Sequence, residues 1–215
     1  MTLLAPFPRL ARLAVLALGL LLSPAQADEV QAMRTALELA AAKDWDGALA
    51  VAPADIGRDI IEWQRLRDGK GLLGDSESFL QRRPNWPGLP YLREQGEVAV
   101  ARSTDAARVI AYFDGQLPRT GKGAVAYVNA LIVAGRAAEA EDEAMRAWAA
   151  LSFAPDEEIS LLALAPKALK LTHEVRLDRL LCDGSGPEAE RMIPRVSEGW
   201  QKLGRARMSL RAGKD

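Results

Sequence analysis

The chain has 215 residues, with 28 Lys and Arg against 29 Asp and Glu, so its formal net charge of -1 gives no global pull toward nucleic acid. A 49% hydrophobic share with only 6% aromatics is enough for a substantial core in one domain. Cys182 is the single cysteine, which excludes an intrachain disulfide and leaves packing alone to hold the fold.

In chain order, residues 1–27 read as a secretory signal peptide. Arg9 and Arg12 supply positive charge, Leu13 to Leu22 form an uncharged apolar run, and Ala25-Gln26-Ala27 places small residues at the cleavage positions. The run is well short of the roughly 20 residues a membrane-spanning helix needs. The expectation is an exported, soluble, periplasmic protein cleaved after Ala27, and no cysteine near that site suggests a lipoprotein. The mature domain, 28–215, keeps 26 basic residues against 29 acidic ones, a net charge of -3.

Within that domain apolar positions recur at helical spacing, and no run alternates as a strand would. The spacing predicts helices over roughly 29–42, 46–51, 56–68, 76–83, 89–101, 105–114, 123–134, 137–151, 156–165, 173–182, 187–196 and 199–211. Ala140, Ala144, Ala147, Trp148 and Leu151 form the clearest stripe, with Glu139, Glu141, Asp142, Glu143 and Arg146 between them. Val125, Val128, Leu131 and Ile132 form another, as do Val109, Ile110 and Phe113, and Trp200, Leu203, Ala206 and Leu210.

The turns at 43–48, 135–140 and 184–189 look alike, each opening its second helix with an alanine, Ala48, Ala140 or Ala189, where two helices must approach closely. Their spacing fits no fixed short period, which excludes a regular tetratricopeptide array. The expected fold is all-α: an irregular α-helical solenoid, a superhelix of antiparallel helical hairpins. Because Leu210 closes an apolar stripe and the chain then stops, an open C-terminal end is expected.

Candidate chemistry is sparse. Thr120-Gly121-Lys122-Gly123 fails the phosphate-loop pattern, since Gln116 stands where its first glycine belongs and Gly123 where Ser or Thr belongs. His173, the only histidine, reads as a helix-start residue, and with Cys182 it has too few partners for a metal site or a Cys-His nucleophile. Cys182 itself, beside Leu180 and Leu181, reads as a buried inert thiol. No cofactor or metal is expected. Trp63 and Trp148 read as core, and Trp86, among Pro84, Pro87 and Pro90, as a wedge between helices. Trp45, also at a turn, fits either a wedge or a half-exposed platform. The strongest charge asymmetry is the basic run Arg191, Arg195, Lys202, Arg205 and Arg207, continued by Arg211 and Lys214. It reads either as a solvated face or as a patch contacting cell-wall carboxylates or a further domain.

The segment Phe79-Leu80-Gln81-Arg82-Arg83-Pro84-Asn85-Trp86-Pro87-Gly88-Leu89-Pro90-Tyr91-Leu92 resembles the superhelical, U-shaped domain of soluble lytic murein transglycosylases. So do Leu117 to Gly123, Leu131 to Ala140, and Arg176 to Leu181 continuing through Trp200, in the family's order. Cys182 departs from the pattern, where an aromatic is expected. The resemblance implies a periplasmic scaffold that binds peptidoglycan glycan strands. In the family a lysozyme-like domain follows and does the cleavage, and no such sequence follows here. Glu77-Ser78 superficially matches that domain's Glu-Ser pair, but Glu77 falls at a helix start, where a carboxylate has a structural use. No catalytic residue is therefore carried over. The expectation is a scaffold without its own chemistry, a truncated or split enzyme. The alternative is a free helical-repeat module that binds a protein partner.

Overall fold

The computed structural model describes residues 24–213, so the expected signal peptide lies, up to residue 23, outside the described residues. Among these the secondary structure is helical, without a strand. The helices are α1 (Pro24–Ala41), α2 (Trp45–Val51), α3 (Ile56–Arg67), α4 (Leu73–Arg82), α5 (Leu89–Val100), α6 (Ala106–Tyr112), α7 (Gly121–Val133), α8 (Ala137–Ala150), α9 (Pro155–Leu164), α10 (Pro166–Lys170), α11 (His173–Asp183), α12 (Gly186–Met192) and α13 (Glu198–Arg211). A 3-10 turn, Ile193–Arg195, follows α12.

Three departures from the expected boundaries have local causes. α4 starts at Leu73 because the Asp75 carboxylate accepts the Leu72 N–H at 2.9 Å, closing the first turn early. α10 is an additional helix: Ala165, preceding Pro166, leaves helical geometry (φ -136°, ψ 53°) and a new helix begins at the proline. The expected helix 187–196 ends at Met192 and tightens to 3-10, since Pro194 has no N–H to donate.

The described chain divides after Gln64 into two compact units. In the first, α1 and α2 pack together around Ala36, Ala40, Ala48 and Ile61, each at most 2% exposed. Asp44 caps α2 by accepting the Gly47 N–H at 3.0 Å, and Lys43 takes a left-handed conformation (φ 64°) to turn the chain. Trp45 joins this cluster half-buried. Trp63 is half-buried and not enclosed as expected; fully buried Ile61 takes the core-facing ridge, and two residues on, a side chain points about 200° away.

In the second unit α7 packs against α5, α6, α8 and α9, α8 against α10 and α11, and α11 against α12 and α13. The core runs through Val128, Leu131, Trp148, Leu161, Leu177 and Met192. The expected close approaches are real: Ala48, Ala140 and Ala189 are 0%, 2% and 1% exposed. Trp86 packs edge-on against buried Phe79, ring centroids 5.6 Å apart.

The stripe expected on α13 meets the core only at its start, where half-buried Trp200 packs against it. Leu203 is 45% and Leu210 75% exposed, while the one buried residue of the helix is Gly204. A Cβ there would meet Ile193 Cδ1 at 2.5 Å and Leu177 Cδ2 at 3.5 Å, so α13 lies on α11 through the glycine, with half-buried Trp200 and Met208 against the core while Leu203 and Leu210 face away. Cys182 is likewise exposed, contrary to the expected buried thiol. Leu177, Leu180 and Leu181 take the core side of α11, and Cys182 shares the outer ridge with Asp178 one turn away, where Arg207 Nη2 donates to its sulfur at 3.3 Å.

Candidate binding grooves

The first groove is set by how α7 seats on α5. Thr120 caps α7, its hydroxyl accepting the Gly123 N–H at 3.1 Å. Behind the cap stands Glu97 of α5, 2% exposed, which accepts the backbone N–H groups of Arg119 and Thr120 at 2.9 and 2.8 Å and the Thr120 hydroxyl at 2.5 Å. Burial pushes the Glu97 pKa up, and these hydrogen bonds only partly offset it. Gly121 and Gly123 permit the approach: a Cβ on Gly123 would collide with the Glu97 carboxylate, and one on Gly121 with Glu157 and Phe153. The glycines that imitate a phosphate loop in sequence are thus packing residues.

With α7 so placed, α6, α7 and α9, together with the end of α5 and the turn that follows it, line a groove of about 670 Å³. Small residues Ala101, Ala126, Ala130 and Ala163 form its bed, and exposed Lys122, Asn129 and Ser160 stand along it. Arg102 at one end donates to the Gly71 carbonyl at 2.8 Å. At the other, Glu157 is engaged by the Ala154 N–H at 2.9 Å, leaving the adjacent Asp156 as the exposed carboxylate. The groove can hydrogen-bond a polar chain along its length. It lacks the separated pair of carboxylates, one in a desolvated pocket, that glycoside cleavage uses.

The second groove, also about 670 Å³, lies between α11, α12 and α13. Leu180, Leu181, Ala189, Ile193 and Met208 line its base, with Glu190 on one side and Arg205, Arg207 and Arg211 on the other.

The fold splits the basic run into groups: Arg191 and Arg195 at Glu158, and Arg205, Arg207 and Arg211 along the second groove. Arg191 pairs with buried Glu158 at 2.8 Å, and Arg195 lies 3.9 Å from the same carboxylate. Lys202 pairs along its own helix with Glu198 at 2.7 Å, and Arg207 with Asp178 at 2.7 Å. Arg205 has no acidic partner among the described residues and shares the second groove with Arg207. Sequence reasoning missed both Glu97 and Glu158, because their partners lie more than 20 residues away.

The other candidates have structural roles. Glu77 pairs with Arg108. His173 is buried, its Nδ1 accepting the Trp148 indole N–H at 3.2 Å, which requires a neutral ring. Burial pushes its pKa down first, and Arg195, Arg176 and Lys170 add to this. No group of three or more potential metal-ligating side chains forms among the described residues. No described helix is long and apolar enough to cross a membrane.

Comparison with protein-family models, with curated proteins and with solved structures finds no match to the chain.

Proposed function

We propose that this protein is a periplasmic helical scaffold of the lytic transglycosylase kind, holding a peptidoglycan glycan strand without cleaving it. The observation that carries this reading is the first groove. α6 and α9 both pack on α7, and Lys122 and Asn129 of α7 and Ser160 of α9 stand exposed in the groove they line, among small alanine side chains. A stack of hairpins buries one face of each helix against its neighbours and leaves such surfaces where successive helices meet. The hydroxyls and acetamido groups of a glycan need hydrogen-bonding partners at intervals, and its peptide-stem carboxylates suit a cation such as Lys122.

The state of the two candidate acids also supports a holding role. Glu97 has both carboxylate oxygens engaged behind α7, and Glu77 is neutralised on the surface. In this reading the superhelical arrangement continues the packing of the second unit, and chemistry comes from a separate lysozyme-like domain or partner. Calorimetric titration with soluble glycan strands that keep their peptide stems tests the site. Binding should weaken at least about fivefold in Lys122→Ala/Asn129→Ala, as expected when two exposed hydrogen-bonding side chains are removed. Equal heats from both proteins would place the glycan elsewhere.

A further inference from the structure

The second groove is a slot between helices. α11 forms its base, α12 and α13 each pack on α11, and the slot runs between them. α13 is pinned at Gly204 against Ile193 and Leu177, so its following turns are held in place and project Arg205, Met208, Ser209 and Ala212 along one face. α12 presents Gly186, Ala189, Glu190 and, past its end, Ile193 at the same helical spacing. Small residues at the rim, Gly186 after α11 and Ser209 and Ala212 on α13, leave the slot open above its apolar base.

The charges select what can lie there. Arg205 has no acidic partner among the described residues, and neither has Arg211, which donates to the neutral Cys182 carbonyl at 3.3 Å. Arg207 is already paired with Asp178. Among the described residues Glu190 is the one acid in the lining, so their charges leave the slot a net positive excess. We propose that the slot between α12 and α13 docks an acidic amphipathic helix of a partner protein, its apolar stripe on Leu181, Ile193 and Met208 and its carboxylates on Arg205 and Arg211. This is helix-in-groove recognition, with rim charges setting partner choice and encounter rate. It involves no residue of the glycan groove, so the two can fail separately.

The test is fluorescence anisotropy of the whole protein with a labelled synthetic helix of about five turns, leucines on one stripe and glutamates flanking them. Saturable binding is expected, abolished when the glutamates are replaced by lysines and weakened roughly fivefold by Arg205→Glu or by about 0.5 M salt. Arg205 is exposed and makes no ion pair among the described residues, so that variant should fold normally, as circular dichroism checks. Ser209→Trp, filling the slot from its rim, should abolish binding. Absence of saturable binding, equal binding of the lysine helix, or indifference to both variants would overturn the proposal. A dimer in sedimentation velocity that Arg205→Glu dissolves would also overturn it, assigning the slot to a second copy.

Discussion

Glu97 Oε2 accepts two hydrogen bonds from Thr120, one from its backbone N–H at 2.8 Å and one from its hydroxyl at 2.5 Å. A carboxylate on α5 thus holds the residue that caps α7, and the bed of the first groove depends on that hold. Glu97→Ala would leave the Arg119 and Thr120 N–H groups without their acceptor. Urea unfolding should show a loss of about 2–4 kcal/mol, summing penalties for unsatisfied buried donors.

Two glycines in helices should respond oppositely to alanine. Alanine ordinarily stabilises a helix relative to glycine by about 0.5–1 kcal/mol. Gly199 in α13 has nothing within 4 Å of a built Cβ, so Gly199→Ala should follow that rule and raise the melting temperature. Gly123 abuts Glu97, so Gly123→Ala should lose about 1–3 kcal/mol despite its better helix propensity.

His173 gives stability a pH dependence with a defined sign. Its folded pKa lies below the ordinary 6.5, so the unfolded chain binds the proton more tightly. The contribution is present above the unfolded pKa and is lost as pH falls from about 6.5 through the folded value. His173→Asn keeps an acceptor for the Trp148 indole and cannot titrate. The unfolding midpoint of the parent should fall below pH 6.5 more steeply than that of the variant.

Arg176 is fully buried, yet its guanidinium donates to the Trp148 and Leu151 carbonyls at 2.8 and 2.9 Å and to Glu188 at 2.8 Å, and stacks 4.3 Å from the Trp148 ring centre. Burial pushes its pKa down to about 10, so it stays charged at neutral pH. It closes the C-terminal carbonyls of α8 together with Arg179, which donates to Ala149 and Leu151. Arg176→Lys keeps the charge but not the planar fork, and should cost about 3–5 kcal/mol in chemical denaturation.

Much of the fold was legible because helical periodicity is local. The stripe at Ala140, Ala144, Ala147 and Trp148 is buried throughout, and Ala48, Ala140 and Ala189 mark the tight turns. What escaped depends on partners distant in sequence. Glu94 and Glu97 share one helix, and only the return of residues 119 and 120 makes Glu97 the buried one. Arg191, Arg195 and Arg207 read as part of a patch because their acids, Glu158 and Asp178, lie outside the basic run. The α13 stripe misled because backbone contact at Gly204 outweighs the pattern of Leu203 and Leu210.

The central claim, that the groove along α7 between α6 and α9 holds cell-wall glycan, is tested most directly by co-sedimentation with purified sacculi, comparing the parent with Lys122→Ala/Asn129→Ala at equal fold stability. The expected result is that the parent pellets with the wall and the variant stays largely in the supernatant, with no anhydromuropeptide released by either. Failure of the parent to pellet, or equal pelleting of the two, would contradict it.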